Sequence, residues 1–313
     1  MFKILGLWAS FLFLGSVYAG ISLTEVGQFG KNQGDLKMFY YAPQALNEKA
    51  PLVVLLHGCT QSSAEFDDET GWTKLADANG FYLLLPQQKE VNNQSRCFNW
   101  FEPKDITREN GEASSIMEMV ELMQKNFNID GRRVYIAGLS AGAAMTSVML
   151  ATYPENFAAG AIIAGIPYGC ATNSMNAWAC MYAAAYPIPS AQTRGDAVRN
   201  ASGKYTGQWP RVMVIHGTSD ELVSYKNAQF HIDQWTNVHG TDAVVDATSK
   251  LDSQKYEEFK AGNKVVVSLL TIENSKHGYP IDPKNGCGIN GKYILDVKVC
   301  GSKHIGNFFN LLK

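Results

Sequence analysis

The sequence predicts an α/β fold, with a mostly parallel central sheet, helices on both faces and a small cap insertion. Three observations carry this. Short, fully apolar runs such as residues 51–56 read as strands buried on both faces. Those runs alternate with stretches whose apolar residues recur at helical spacing, the rhythm of parallel strands joined by crossover helices. One run, residues 134–137, passes through Gly138-Leu139-Ser140-Ala141-Gly142 into a helix pattern from Ala143 to Ala151. That is a strand, a sharp turn and a helix.

The sharp turn is where chemistry is expected. It forces strained dihedrals on Ser140, and the flanking glycines remove side chains that would block it. The hydroxyl is thereby lifted above the sheet edge as a nucleophile. The N–H of Ala141, at the helix start, can face a developing oxyanion. The bland alternative is a Gly/Ser turn that merely joins strand to helix.

The chain has 313 residues, enough for one large α/β domain. Its formal net charge of −2 offers no electrostatic case for nucleic acid or an anionic membrane. Lys3, an apolar stretch over residues 4–17 and Val17-Tyr18-Ala19 form the pattern of a signal peptide, residues 1–19. An uncleaved anchor is the rival, but the run is short for a full span. Residues 20–313 are read as one domain. Its destination is the periplasm or the extracellular space. Export makes the six cysteines informative, since an even number in an oxidising compartment suggests disulfides. The nearest pairs are Cys170–Cys180 and Cys287–Cys300, which leaves Cys59–Cys97. No C-x-x-C or H-x-x-x-H spacing supports a metal, and none is expected.

Residues 20–50 read as short strands and turns, with a strand over 36–41. The buried run 51–56 ends in His57-Gly58-Cys59, where the N–H of Cys59 is placed as a second oxyanion donor. His57 is read as a group that holds this loop. Residues 62–79 read as one helix capped by Ser63 and stopped by Gly80. A strand over 81–85 follows, then a polar loop with the aromatic cluster Phe98, Trp100 and Phe101. Trp100 is a candidate wall of the substrate cleft. Residues 111–128 read as a helix, and 157–166 as another buried strand. Residues 167–210 break the rhythm and are read as the cap insertion. There Tyr168 is a second candidate substrate contact. Trp178, Tyr182 and Tyr186 are read as packing.

A strand over 211–215 runs into His216-Gly217-Thr218-Ser219-Asp220-Glu221. A carboxylate just past a late strand is placed to orient a catalytic imidazole, and Asp220 is preferred over Glu221. A helix over 228–238 follows, with Trp235 towards the sheet, and 265–271 reads as the last strand. His277 lies in the loop beyond it, placed to reach Ser140 and Asp220. His304, on a C-terminal helix, is its rival.

With these residues in place, the chain resembles the secreted polyhydroxybutyrate depolymerase-like esterases, α/β-hydrolases grouped with feruloyl and acetylxylan esterases. The stretches that carry the resemblance are Leu56-His57-Gly58-Cys59-Thr60-Gln61, Cys97-Phe98-Asn99-Trp100-Phe101, the elbow around Ser140, Ile166-Pro167-Tyr168-Gly169, His216-Gly217-Thr218-Ser219-Asp220 and Lys276-His277-Gly278-Tyr279-Pro280. The resemblance implies Ser140, Asp220 and His277 as a triad and Cys59 in the oxyanion loop. It implies a hydrolase of poly- or oligo(3-hydroxybutyrate) esters; triad chemistry needs no cofactor, and a monomer is expected. The alternative is a feruloyl or acetylxylan esterase. A peptidase and a non-catalytic binding module are the readings from other classes.

Overall fold

The structure is a computed structural model that describes residues 23–46, 48–183 and 188–313. The expected signal peptide at 1–19 and Tyr186 lie outside the described residues. Strands β1 (Thr24–Val26), β2 (Lys37–Tyr41) and β3 (Ala50–Leu56) come first. Helices α1 (Ser63–Thr70) and α2 (Trp72–Asn79) then lead to β4 (Tyr82–Gln87). Helix α3 (Gly111–Asn126), β5 (Ile129–Leu139), α4 (Ala141–Thr152) and β6 (Ala159–Ile163) form the centre. Helices α5 (Ser174–Met181) and α6 (Ala191–Ala201) precede β7 (Arg211–Gly217) and α7 (Lys226–His239). The chain closes with β8 (Ala247–Leu251), β9 (Gln254–Ala261), β10 (Lys264–Ile272), β11 (Tyr279–Ile281), β12 (Ile294–Asp296) and α8 (Gly301–Phe308).

Ten strands form one sheet in the order β1-β2-β4-β3-β5-β6-β7-β10-β9-β8. The run from β4 to β10 is parallel, and the strands beyond it at both edges pair antiparallel. This is the mostly parallel sheet the alternating pattern predicts. Successive side chains of a strand point to opposite faces. Accordingly Leu52, Val54 and Leu56 join Ile116 and Met119 of α3, Val148 of α4 and Trp235 of α7 in one core. Val53 and Leu55 join Phe66 of α1, Trp72 of α2 and Ile305 of α8 in the other. The central strands therefore bury both faces, which is why they read as unbroken apolar runs.

Three local expectations are corrected. The stretch 62–79 is two helices, because Gly71 adopts φ 77° and ends the first turn-run in the left-handed region. Its cap is Ser62 rather than Ser63: the Ser62 hydroxyl accepts from the Glu65 N–H while the Glu65 carboxylate accepts from the Ser62 N–H. Strand β10 covers 265–271 but is not the last strand: β11 and β12 follow it and pair with each other, and an unexpected hairpin, β8–β9, precedes it at the sheet edge. Exposed polar residues obscured that hairpin, among them Thr248, Ser249 and Lys250 of the edge strand β8. An edge strand with a solvated face lacks the apolar run that announces a central one.

The close approach of α4 to β3 rests on Gly142. A Cβ there would collide with the backbone oxygens of Leu56 and His57. Gly142→Ala is expected to lower stability by about 2–4 kcal/mol. A urea midpoint unchanged from the parent would contradict this packing.

Candidate active site

Parallel strands place their C-terminal ends along one edge of the sheet, and the loops there can converge. Ser140 follows β5 and caps α4 with φ 56° and ψ −117°. That region is unfavourable for a side-chain-bearing residue, and surrounding structure must impose it. Two hydrogen bonds do so. The Ser140 N–H donates to Ile163 O at the end of β6 (2.9 Å), and Ser140 O accepts from the Ala144 N–H (2.9 Å).

The loops after β7 and β10 are neighbours because those strands pair in parallel, with Thr271 opposite His216 and Ile272 opposite Gly217. Backbone bonds stitch them together. Thr218 N–H donates to Ile272 O (3.0 Å) and Ser219 N–H to Ser275 O (3.0 Å). Gly217 permits this approach, since a Cβ there would meet Ser275 O and Lys276 O. The result sets His277 Nδ1 2.7 Å from Asp220 Oδ2. A carboxylate only accepts, so Nδ1 carries the proton and Nε2 keeps its lone pair. Asp220 Oδ1 accepts from the N–H groups of Leu222 (2.9 Å) and Val223 (2.8 Å). Burial alone would raise the Asp220 pKa, but hydrogen bonds from His216 and His277 outweigh it and hold the carboxyl well below its usual range. The group stays an anion at any working pH.

Ser140 and His277 line one cavity of about 370 Å³. Gly58, Cys59 and Ala141 border it beside the serine, and Leu139, Trp100, Ile166 and Met181 give it an apolar lining. Ala141 is the first residue of α4, so its N–H has no acceptor within the helix. The N–H groups on either side of Cys59 are engaged: Gly58 N–H donates to Gln61 Oε1 (2.8 Å) and Thr60 N–H to Ser95 O (2.6 Å).

Cys59 is bridged to Cys97, Cys170 to Cys180 and Cys287 to Cys300. The first bridge ties the Cys59 loop to the cleft wall that carries Trp100. Behind that wall Glu112, buried, accepts from the Asn99 N–H (2.9 Å), from Asn99 Nδ2 (2.8 Å) and from Gln88 Nε2. Burial pushes its pKa up to about 8 against the pull of these donors. Gln88 N–H donates in turn to His57 Nε2 (3.1 Å), and His57 Nδ1–H donates to Gly58 O (2.7 Å). Burial pushes His57 down to about 4, so it stays neutral and holds the loop. Replacing Cys59 and Cys97 together by serine frees a bridge spanning 38 residues and is expected to cost about 2–4 kcal/mol. Equal urea midpoints for variant and parent would exclude that contribution.

The remaining residues named from the sequence fall as follows. Trp100 lines the cleft. Tyr168 does not: its OH donates to Ile106 O (3.4 Å), and its ring borders a smaller pocket beside Arg194 and Phe230. Its backbone is held there by Gln234 of α7. Glu221 is exposed, whereas Asp220 is buried. His304 Nε2 bonds Asp252 Oδ2 (2.6 Å) in the β8–β9 turn. Trp178, read as packing, borders the cleft and is 61% exposed. Asn93, Ser95, Leu222 and Tyr293 also line it and carried no recognisable signal in the sequence.

A ten-stranded, mostly parallel sheet with a serine on a strained elbow at its C-terminal edge defines an α/β-hydrolase. Comparison with known proteins narrows the class. The profile described as Esterase PHB depolymerase matches residues 36–259, and the chain belongs to that family. It is 46% identical over 301 residues to poly(3-hydroxyalkanoate) depolymerase C of Paucimonas lemoignei, covering 95% of this chain and 71% of that one. It is 33% identical to an acetylxylan esterase of Coprinopsis cinerea, over 82% of this chain and 69% of the relative. It is 34% identical to feruloyl esterase B of Thermothelomyces thermophilus, over 74% of this chain and 80% of the relative. Among solved structures, an acetyl xylan esterase from Aspergillus awamori shares the fold with a TM-score of 0.75 at 24% identity, over 82% of this chain and 94% of that one. The protein is a carboxylic ester hydrolase. Among the described residues no helix is long and apolar enough to cross a membrane.

Proposed function

We propose that the protein is an exported serine esterase that hydrolyses poly- or oligo(3-hydroxybutyrate) esters through Ser140, His277 and Asp220. The observation that carries this reading is the apolar cleft that both Ser140 and the Asp220-bound His277 line. His277 Nε2 takes the Ser140 proton as the serine oxygen attacks the ester carbonyl. The N–H groups of Cys59 and Ala141 receive the charge that develops on the carbonyl oxygen. The imidazolium then gives its proton to the departing alkoxide, leaving an acyl-enzyme. Water, deprotonated by the same imidazole, releases the acid. Asp220 keeps the imidazole in the required tautomer and balances its charge while it holds the extra proton. In this reading no cofactor or metal takes part.

The substrate class draws on the 46% identity to a poly(3-hydroxyalkanoate) depolymerase and on the apolar lining from Trp100, Ile166 and Met181, which suits methyl-bearing acyl units. Three disulfides suit an oxidising compartment, in keeping with export. Helix α5 acts as the cap, since Ser174, Ala177, Trp178 and Met181 line the cleft. In this reading the enzyme works as a monomer. A second reading, esters on plant polysaccharide, is favoured by the acetylxylan and feruloyl esterase relatives and by Thr60, Asn93 and Ser95 on the cleft wall. Parallel turnover of hydroxybutyrate oligomers, methyl ferulate and acetylated xylan separates the two. The expected result is a kcat/KM for the oligomers at least about tenfold above the others. The reverse order would transfer the assignment to the polysaccharide esterases.

A further inference from the structure

The acid that orients His277 is shared by a second imidazole. His216, at the end of β7, is buried, and its Nε2 lies 3.3 Å from Asp220 Oδ2, the same oxygen that accepts from His277. The same Nε2 lies 2.9 Å from Val223 O. Both neighbours are acceptors, so Nε2 bears the proton and divides it between them. His216 Nδ1 is buried and has no partner among the described residues, so only Nε2 of the ring is engaged. We infer that His216 is a positioning residue for ester hydrolysis, a fixed N–H that clamps the Asp220 carboxylate in the orientation His277 requires. The inference rests on the triad reading above.

Asp220 then has a complete set of donors: Leu222 and Val223 N–H on Oδ1, His277 and His216 on Oδ2. Removing the His216 donor concentrates the Oδ2 charge on His277. A more strongly bound imidazolium gives up its proton at higher pH. The acid limb of the kcat/KM profile therefore moves upward in pH, and kcat falls because the carboxylate is less firmly oriented.

The other ionisable groups around this pair are accounted for. From the N-cap of α7 comes Tyr225, whose ring meets His216 edge-on and whose hydroxyl bonds Thr271, and from α7 itself His231, which burial pushes down to about 3 and keeps neutral. On the loop after β10, Glu273 accepts from the Thr218 hydroxyl (3.4 Å), and Lys276 adjoins His277. Tyr293 stands edge-on to His277 at 5.8 Å, with Lys292 over the far ring at 5.6 Å. Glu221 is exposed. Among the described residues, the ion-pair partners of Asp220 are the two imidazoles.

The test compares His216→Phe, which fills the site without a donor, with His216→Gln, which restores one. Soluble butyrate ester turnover is measured from pH 5 to 9, with Tm recorded for each protein. The expected result is a kcat about tenfold to a hundredfold lower for His216→Phe, an acid limb displaced upward, KM little changed, and recovery of both in His216→Gln. Should His216→Phe not fold, His216→Leu takes its place. An acid limb and kcat equal to the parent in the donor-free variant, or equal losses in donor-free and donor-bearing variants, would overturn the inference in favour of plain packing. Ser140→Ala run alongside separates the two failures: if it stays active, the triad reading falls, and if it is inactive while the His216 variants match the parent, only this inference falls.

Discussion

Ser140→Ala is expected to lower kcat on p-nitrophenyl butyrate by about a millionfold while the protein stays folded. The size follows from what the hydroxyl does. Without it no acyl-enzyme forms, and only the oxyanion donors and substrate binding remain to assist direct attack by water. The fold should persist because the elbow is held by backbone bonds. Ser140 N–H to Ile163 O and Ala144 N–H to Ser140 O involve no hydroxyl. Alanine must adopt the same φ of 56°, so the substitution leaves the strain of the elbow in place. The measurements are steady-state turnover, urea unfolding and labelling by a fluorophosphonate probe. Turnover within tenfold of the parent, or undiminished labelling, would remove the serine from the mechanism.

Asp220→Asn should lower kcat by about ten-thousandfold with little change in KM. The amide has one accepting oxygen where the carboxylate has two. Leu222 and Val223 N–H groups claim one side of the side chain, and His277 and His216 the other. If the amide oxygen stays with the loop N–H groups, its NH2 confronts both imidazoles. His277 must then present a lone pair at Nδ1, which moves its proton to Nε2 and leaves no base towards Ser140. If the amide turns the other way, its NH2 confronts two backbone donors. Either arrangement leaves buried donors facing one another, and stability should fall by about 1–3 kcal/mol. The checks are kcat and KM on the same ester and the urea midpoint. A variant with parental kcat would mean that His277 needs no oriented carboxylate.

The central sheet was legible because its strands bury both faces. Residues 51–56, 134–137 and 212–215 form apolar runs too short for helices, and they are the cores of β3, β5 and β7. The edge hairpin β8–β9 was not legible. Thr248, Ser249, Lys250 and Lys255 meet solvent, so no apolar run marks those strands. The break at Gly71 was missed for a different reason. The second helix starts at Trp72, directly after the first, and only the left-handed backbone of one glycine separates them.

At the site, the elbow could be read locally because a sharp strand–helix turn needs glycine at particular positions around one serine. Side-chain direction could not be read in the same way. Tyr168 lies two residues beyond Ile166, which lines the cleft, yet Gln234 draws it away. Trp178 faces the opening because α5 lies across it.

By itself the sequence determined the class of fold, the position of the elbow and the set of loops from which its partners come. Those features depend on hydrophobic periodicity and on turn dihedrals, which are properties of neighbouring residues. Only the tertiary structure decided that β7 and β10 lie side by side, that His277 and His216 meet on one oxygen of Asp220, and that His304 is taken by Asp252. Those contacts follow from strand order and register, which long-range packing sets.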